Sequence, residues 1–126
     1  MRLVTHNMLR CNAKGVENGY PLLIEAERVE VIAHEYDAEV VAGLLRKVNF
    51  AALKGAAANL SLSEGIESVE APLSEEALQN EAFLRGAHKL LFEVHVIEGT
   101  LVCPASGRRF PVRDGIPNML LHEDEV

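Results

Sequence analysis

Leu101–Leu121, LVCPASGRRFPVRDGIPNMLL, decides the fold because three strand-like runs are separated there by two turn signals. The first turn signal is ASG, and the second is Asp114-Gly115, a dipeptide typical of tight turns. The runs TLVCP, RRFPVR and IPNMLL around these turns are typical of short strands. The sequence therefore predicts a small β lobe at this end of the chain.

Residues near the start of the chain supply further strands. Residues 2–9, RLVTHNML, mix β-branched and apolar residues with polar ones and predict a strand. The glycine- and asparagine-rich segment CNAKGVENGYP predicts a loop. Arg28–Val31 then alternates charged and apolar residues, as a strand with one solvated face does.

The middle of the chain carries a helical period. Asp37 is a suitable N-cap for a first helix, and FAALKGAAANLSL predicts a second, short helix. Residues 64–81 contain no Lys or Arg and many Glu, which predicts a surface loop. Ser74 is a suitable N-cap for a third helix, which Gly99 ends. The apolar positions of the first and third helices predict the core of this region: Val41, Leu44, Leu45, Val48, Phe83, Leu90, Leu91 and Val94.

These elements predict an α+β fold with two parts. Residues 1–33 and 97–126 form a β lobe built from both termini, and residues 34–96 form a helical insert. The chain has 126 residues, and 48% of them are hydrophobic, so it is able to bury a core.

Composition excludes several classes of protein. The net charge of −7 and the absence of Trp argue against a free-standing nucleic-acid binder, which needs a basic face and aromatic platforms. Two cysteines cannot form a disulfide-dense secreted scaffold. The sequence shows no signal-peptide pattern and no apolar run long enough to span a membrane, so we expect cytoplasm and nucleus.

The potential metal and catalytic residues are sparse. Cys103 and Ser106 have the spacing of a zinc knuckle, but Ser is a poor zinc ligand. Cys11 stands alone at the other end, because Val16 cannot bind metal. We therefore expect two buried thiols without a metal. The chain has no nucleophile elbow, P-loop or GxGxxG segment, so we expect no catalytic and no cofactor-binding residues.

Two features at the C-terminal end suggest binding. Arg108, Arg109 and Arg113 form the one basic cluster, which is either a solvated hairpin face or a contact to phosphate or RNA. The run Ile116–Leu121 is apolar on both faces of the predicted strand. Such a strand lies either in the centre of a sheet or against another protein, and a small lobe favours the second. The predicted partner surface comprises Thr5, His6, Asn7, Met8, Phe110, Ile116, Pro117, Asn118, Met119, Leu120 and Leu121.

Three stretches also resemble a known family. RLVTHNML, EAFLRGAHKLLFEVHVIEGTLVCPASGRRFPVRDGIPNMLL and LLHEDEV closely resemble the eukaryotic multifunctional methyltransferase subunit, and the ending is most similar to plant members. The resemblance implies a zinc-ribbon-like lobe from both termini with a helical insert. Fungal members carry four zinc cysteines, whose positions fall here at Cys11, Val16, Cys103 and Ser106. With two ligands replaced, we expect no metal.

The resemblance also implies a function. It implies a non-catalytic partner that activates and stabilises several S-adenosylmethionine-dependent methyltransferases acting on tRNA, rRNA and a translation release factor. Such a subunit forms a heterodimer by strand addition and by covering an apolar patch, while S-adenosylmethionine binds the partner enzyme. RNA would then contact the subunit only within the complex. A stand-alone ribbon-type RNA-binding module and a stand-alone enzyme are the alternatives.

Overall fold

A four-stranded antiparallel sheet carries the fold of this computed structural model, which describes residues 1–126. The strands are β1 (Leu23–Val31), β2 (Val94–Val102), β3 (Arg109–Arg113) and β4 (Ile116–Pro117), and their order in the sheet follows the chain. The mixed helix and sheet composition predicted from the sequence is confirmed. The division of the chain at residues 34 and 96 remains a prediction.

Most of the helices lie between β1 and β2. The order of helical segments in the chain is α1 (Leu3–His6), α2 (Ala38–Leu45), α3 (Phe50–Asn59), a 3₁₀ turn (Ala77–Gln79), α4 (Glu81–His88), a π-helical turn (Lys89–Glu93) and a second 3₁₀ turn (Glu123–Glu125). All of these helices are too short to cross a lipid bilayer.

Side-chain caps explain where two of the helices begin. Asp37 accepts hydrogen bonds from the amides of Glu39 and Val40, which confirms it as the N-cap of α2. Ser74 was wrongly predicted to open the third helix, because its hydroxyl accepts a hydrogen bond only from the amide of Ala77, the first residue of the 3₁₀ turn. Asn80 caps α4 instead, through a 3.1 Å bond from the Phe83 amide to its side-chain oxygen.

Gly99 does not end a helix, as the sequence suggested, but lies in the middle of β2. The facing strand β1 is irregular at this point, between Ala26 and Arg28. A Cβ atom on residue 99 would lie 2.6 Å from the carbonyl oxygen of Glu25, which is closer than atoms can pack. The glycine therefore permits close backbone approach at a bulge, and the chain remains extended through it.

The predicted strand at residues 2–9 is wrong. Only Arg2 pairs as a strand residue, opposite His95, and the chain then turns into the one-turn helix α1. Leu3 is fully buried, and the His6 ring nitrogen Nε2 lies 2.7 Å from the carbonyl oxygen of Leu22. These tertiary contacts outweigh the local preference of Val4 and Thr5 for extended structure.

The hydrophobic core joins the helices to one face of the sheet. Six of the eight residues predicted for the helical core are buried: Val41, Leu45, Phe83, Leu90, Leu91 and Val94. Leu44 and Val48 are half-buried and pack against this core from its margin. Helix α2 directs only a narrow stripe of apolar side chains toward the core, and Leu44 lies at the margin of that stripe.

Candidate protein-docking edge

The edge of the sheet at β4 is formed by a tight hairpin. Asp114 and Gly115 both have positive φ angles, 50° and 75°, which is the geometry of a two-residue type I′ turn. The turn returns the chain so that Ile116 pairs with Arg113. Beyond β4, the Asn118 amide donates a 2.9 Å hydrogen bond to the Pro111 carbonyl. The pairing with β3 therefore extends one residue past the two-residue strand.

Side chains alternate along the segment from 116 to 121, which we call the docking edge. Ile116 and Leu120 are 68% and 78% exposed. Met119 and Leu121 are half-buried and pack against the core. The segment is thus apolar on both faces, as predicted, but the chain itself covers only one of them. The exposed apolar face has the character of a protein-binding surface.

Asn118 stands on the exposed face and is not a buried amide. Its side-chain oxygen accepts a 3.1 Å hydrogen bond from the Leu120 amide, so it shapes the local turn of the backbone. Pro111, Arg113, Asp114 and the residues from Ile116 to Leu120 line an open groove of about 740 Å³ along this edge. The groove is wide enough to receive apolar side chains of another protein.

Backbone groups along the docking edge are left free. The amides of Met119 and Leu121 donate to no group of the chain, and Pro117 has no amide to donate. Residues 119 and 121 are two apart, which is the spacing at which a strand directs its backbone groups to one side. Free amides at alternate residues are the requirement for adding a strand from another chain.

The N-terminal residues predicted for the same surface divide into two groups. Thr5 and Met8 are exposed, whereas the side chains of His6 and Asn7 are buried. Asn7 exchanges two hydrogen bonds with the backbone of Asn49, at 2.8 and 3.0 Å. His6 and Asn7 therefore hold α1 in place and present no side chain to a partner.

Phe110 is also inside the molecule, although the sequence placed it on the partner surface. Its side chain is 1% exposed, and the guanidinium of Arg108 covers the ring at 4.7 Å. It lies on the inward face of β3, where exposed and buried residues alternate. Phe110 supports the docking edge from beneath without forming part of its surface.

Each arginine of the basic cluster has a carboxylate neighbour. Arg109 pairs with Glu25 at 2.9 Å, and Arg113 lies 3.6 Å from Glu98. Arg108 binds Glu125 of the C-terminal 3₁₀ turn through its Nε atom at 2.7 Å. These pairs neutralise the cluster and leave little positive field for phosphate groups.

Cys11 and Cys103 are both buried in the core, although they are far apart in the sequence. The Ser106 amide donates a 3.4 Å hydrogen bond to the sulfur of Cys103. Burial raises the pKa of the Cys11 thiol. Burial also acts to raise the pKa of Cys103, but bonds from the Ser106 side chain and from the amides of Ser106 and Ala105 outweigh it and lower this pKa to about 7.

This cluster does not have the donor set of a zinc site. Ser106 stands beside Cys103, and Val16 packs against the core with a side chain that has no donor atom. A structural zinc site needs four sulfur or nitrogen ligands in a tetrahedron. No group of three or more His, Cys, Asp or Glu side chains is arranged to hold a metal ion.

Two features of this region were not predicted from the sequence. The free amides of Met119 and Leu121 depend on how the chain leaves β4, which no residue pattern specifies. The pairing of Arg108 with Glu125 did have a signal, namely an acidic ending close to a basic hairpin, but ion pairs between loops have no fixed spacing.

Comparison with known proteins gives consistent matches. The profile of a family described as Trm112p-like protein matches residues 2–115. The multifunctional methyltransferase subunit TRM112 homolog A of Arabidopsis thaliana is 46% identical over 126 residues, which is 100% of both chains. The TRM112-like multifunctional methyltransferase subunit of Mus musculus is 45% identical over 127 residues, covering 100% of this chain and 98% of the mouse protein.

A solved structure is similar as well. It is the E. cuniculi Mtq2-Trm112 complex responsible for methylation of the eRF1 translation termination factor. The matching chain has a TM-score of 0.53 and 20% sequence identity, with 95% of each chain covered. This likeness supports the fold described above.

Proposed function

Because the chain belongs to the Trm112p-like family, we propose that it is a non-catalytic subunit that activates and stabilises S-adenosylmethionine-dependent methyltransferases. The substrates of those enzymes would be tRNA, rRNA and a translation release factor. The name multifunctional methyltransferase subunit, carried by relatives aligned over the whole chain, supports this assignment.

The docking edge is the observation that carries the proposal. It combines exposed apolar side chains at Ile116 and Leu120 with free amides at Met119 and Leu121. A partner strand pairing here would gain main-chain hydrogen bonds and would cover the apolar face at the same time. Because main-chain pairing does not depend on the partner's sequence, one edge is able to serve several enzymes.

Activation follows from binding to the folded enzyme. A subunit that binds only the native state of its partner shifts the folding equilibrium by mass action. An interface of this kind buries about 2,000 Å² or more in total, so it extends beyond the six residues of the docking edge. The exposed Thr5 and Met8 would contribute to the periphery of this interface.

The chain itself would bind no cofactor. S-adenosylmethionine would occupy the partner enzyme, and RNA would be met only through the heterodimer. We place the complex in the cytoplasm and nucleus, where its proposed substrates are made and used. Fractionation of cells that express a tagged chain would test this location.

The β lobe that contains Cys11 and Cys103 would be a zinc-ribbon-like fold that needs no zinc. The donor set supports this proposal, because Val16 and Ser106 occupy two of the four ligand positions implied by the family resemblance. Elemental analysis of the purified protein should find far less than one zinc per chain. About one zinc per chain would overturn the proposal.

Co-purification from cells with a methyltransferase tests the function directly. The chain should increase both the soluble yield and the activity of the enzyme, and it should show no turnover alone. Leu120→Asp should abolish co-purification, since it places a charge in the centre of the docking edge. Hot-spot losses of about 2 kcal/mol or more correspond to at least a 30-fold weakening.

Val40→Asp is the matched control for that variant. Val40 is 54% exposed on α2, so the substitution adds the same charge at another exposed apolar site. It should leave co-purification unchanged. If both variants bound the enzyme as the wild type does, the interface would lie elsewhere on the chain.

The alternative of a stand-alone RNA-binding module has less support. The three arginines that suggested it all have carboxylate neighbours, and the net charge is −7. Titration of labelled RNA with the isolated chain should show no binding at moderate salt. Micromolar binding that weakens steeply with salt would favour this alternative.

A further inference from the structure

The sheet has a second edge, formed by β1 on the side opposite β4. Asn59 of α3 caps the start of this edge, because its side-chain oxygen accepts a 3.0 Å hydrogen bond from the Ile24 amide. The pairing of β1 with β2 is then irregular between Ala26 and Val29, and regular from Val29 onward. We call residues 28–32 the β1 edge, and the proposed function does not use it.

Backbone groups on the β1 edge point away from the sheet at alternate residues. The Ile32 amide donates a 2.8 Å hydrogen bond to the Glu93 carbonyl, so it points toward β2. This direction alternates along an antiparallel strand, so Val29 and Val31 direct their amides and carbonyls outward. No hydrogen bond joins either valine to the backbone of a loop or turn. The β1 edge is therefore open to another strand.

Apolar side chains accompany these free backbone groups. Val29 lies opposite the buried Val96, on the sheet face that carries the core, yet the helices leave it partly uncovered. Val29, Val31 and Ile32 are 36%, 57% and 50% exposed. A strand added at the β1 edge would cover apolar surface at the same time as it gained main-chain hydrogen bonds.

The charges of the β1 edge are self-complementary. Arg28 and Glu30 flank Val29 and form an exposed ion pair with each other. If two copies of β1 paired antiparallel about Val29, Arg28 of each copy would lie opposite Glu30 of the other. Opposite charges in facing positions stabilise a strand pair, and like charges destabilise it. The two-fold axis makes this contact twice, as a self-complementary interface requires, so the charge pattern favours a second copy as the occupant.

We propose that the β1 edge pairs with the β1 edge of a second copy, so that the chain forms a two-fold symmetric dimer. Val29 of each copy would exchange both backbone hydrogen bonds with Val29 of the other, and two four-stranded sheets would join into one. The pairing is short, so the dimer is weak and depends on concentration. Because the docking edge lies on the opposite side of the sheet, each copy remains free to bind an enzyme.

Sedimentation velocity of the full-length chain tests the proposal. The fraction of dimer should rise with concentration into the millimolar range. Arg28→Glu and Glu30→Arg should each weaken dimerisation about tenfold, because each places like charges opposite each other twice. Glu17→Arg is the matched control for Glu30→Arg, since Glu17 is exposed in a loop outside the sheet. This control should dimerise as the wild type does.

An equimolar mixture of the Arg28→Glu and Glu30→Arg chains gives the sharpest test. Each variant has lost its internal ion pair, but in a mixed dimer two Glu would face two Arg. The mixture should therefore dimerise more strongly than either variant alone. Circular dichroism of both variants should match the wild type, since neither side chain belongs to the core.

Three results would overturn the proposal. The first is a wild-type chain that stays monomeric at every concentration, and the second is a mixture that dimerises no better than its components. The third is a loss of methyltransferase co-purification in the Arg28→Glu variant, because the β1 edge would then contact the enzyme instead of a second copy. A docking edge that failed its own Leu120→Asp test would leave the dimer measurements unaffected, so the two proposals fail separately.

Discussion

The α1 segment and the docking edge are both short and rich in apolar residues, yet the chain uses them in opposite ways. In α1, Leu3 is fully buried and His6 binds the Leu22 carbonyl. In the docking edge, Ile116 and Leu120 face solvent, and alternate amides are free. The difference lies in hydrogen bonding. A segment whose polar groups are satisfied inside the chain supports the fold, whereas one with free backbone groups is available to a partner.

Matched leucine truncations should give the largest contrast between the two segments. Leu3→Ala should lower the free energy of unfolding by about 2–5 kcal/mol, because it leaves a cavity in the core. Leu120→Ala should change it by less than about 0.5 kcal/mol, because the side chain is already exposed. Urea denaturation of the two variants measures both values. Equal losses of stability would show that the two segments do not differ in this way.

A second matched pair tests the helical core. Leu45 is 3% exposed and Leu44 only half-buried, although they are neighbours on α2. Leu45→Ala should therefore cost about 2–5 kcal/mol of unfolding free energy, and Leu44→Ala clearly less. Thermal and urea unfolding of both variants would show which face of α2 points inward. A larger loss at Leu44 would mean that the helix is rotated relative to the structure.

Local sequence signals were sufficient to predict part of this structure. Apolar periodicity identified the helical middle, and residue type identified the Asp37 cap and the turn at Asp114-Gly115, because each depends on neighbours within a few residues. These signals failed at α1, where buried contacts to Leu22 and Asn49 decide the conformation. They also failed at Gly99, whose role is set by the facing strand.

That a partner binds at the docking edge remains a prediction, and only part of the structure there could be read from the sequence. Its apolar character could be read from the sequence, whereas the alternation of exposed Leu120 with half-buried Met119 could not. That alternation depends on where Asn118 bonds back to Pro111. The burial of Phe110 likewise depends on which face of β3 meets the helices.

Acid should weaken the buried His6 contact that holds α1 in place before it affects the docking edge. Burial is the main cause that lowers the pKa of His6, with the Leu22 hydrogen bond acting against it. The unfolded chain then binds this proton more tightly, so the contribution of His6 is complete above the ordinary histidine pKa of about 6.5 and is lost as the pH falls below it. Stability should therefore decrease as the pH falls from 7 to 5.

His6→Gln tests the source of this pH dependence. The variant should lose about 1–3 kcal/mol at neutral pH, if the Leu22 carbonyl is left without its partner. It should also show a smaller change in stability between pH 7 and pH 5, measured by urea denaturation. Burial lowers the pKa of His95 as well, so part of the slope should remain. An unchanged pH dependence of the unfolding free energy would show that groups other than His6 cause it.

Proline substitution separates the backbone of the docking edge from its side chains. Met119→Pro removes an amide that is free in the isolated chain, whereas Met119→Ala keeps that amide and shortens the side chain. If a partner strand accepts from this amide, the proline variant should bind a methyltransferase about tenfold more weakly than the alanine variant. Calorimetric titration measures the two affinities. Equal affinities would mean that side chains alone make the contact.

Substitutions in the C-terminal 3₁₀ turn (Glu123–Glu125) should have the smallest effect on stability and on partner affinity. Glu125 accepts two hydrogen bonds from Arg108 and one, at 2.9 Å, from the His122 amide, and its carbonyl accepts another from the Lys14 amide at 2.6 Å. Hydrogen bonding from Arg108 is the largest cause that lowers the pKa of Glu125. The ion pair is therefore complete above the ordinary carboxyl pKa and is lost as the pH falls through the lowered value.

Glu125→Gln removes this ion pair without changing the shape of the side chain. Both side chains are half-buried, but the pair holds only the terminal turn, so the melting temperature should fall only slightly. Hydrogen exchange in residues 122–126 should become faster, and high salt should produce a similar increase in the wild type. Asp124→Asn is the control, because that neighbouring carboxylate forms no ion pair. Partner affinity should barely respond to either variant, since the turn lies outside the docking edge, and a large loss would extend the interface to the end of the chain.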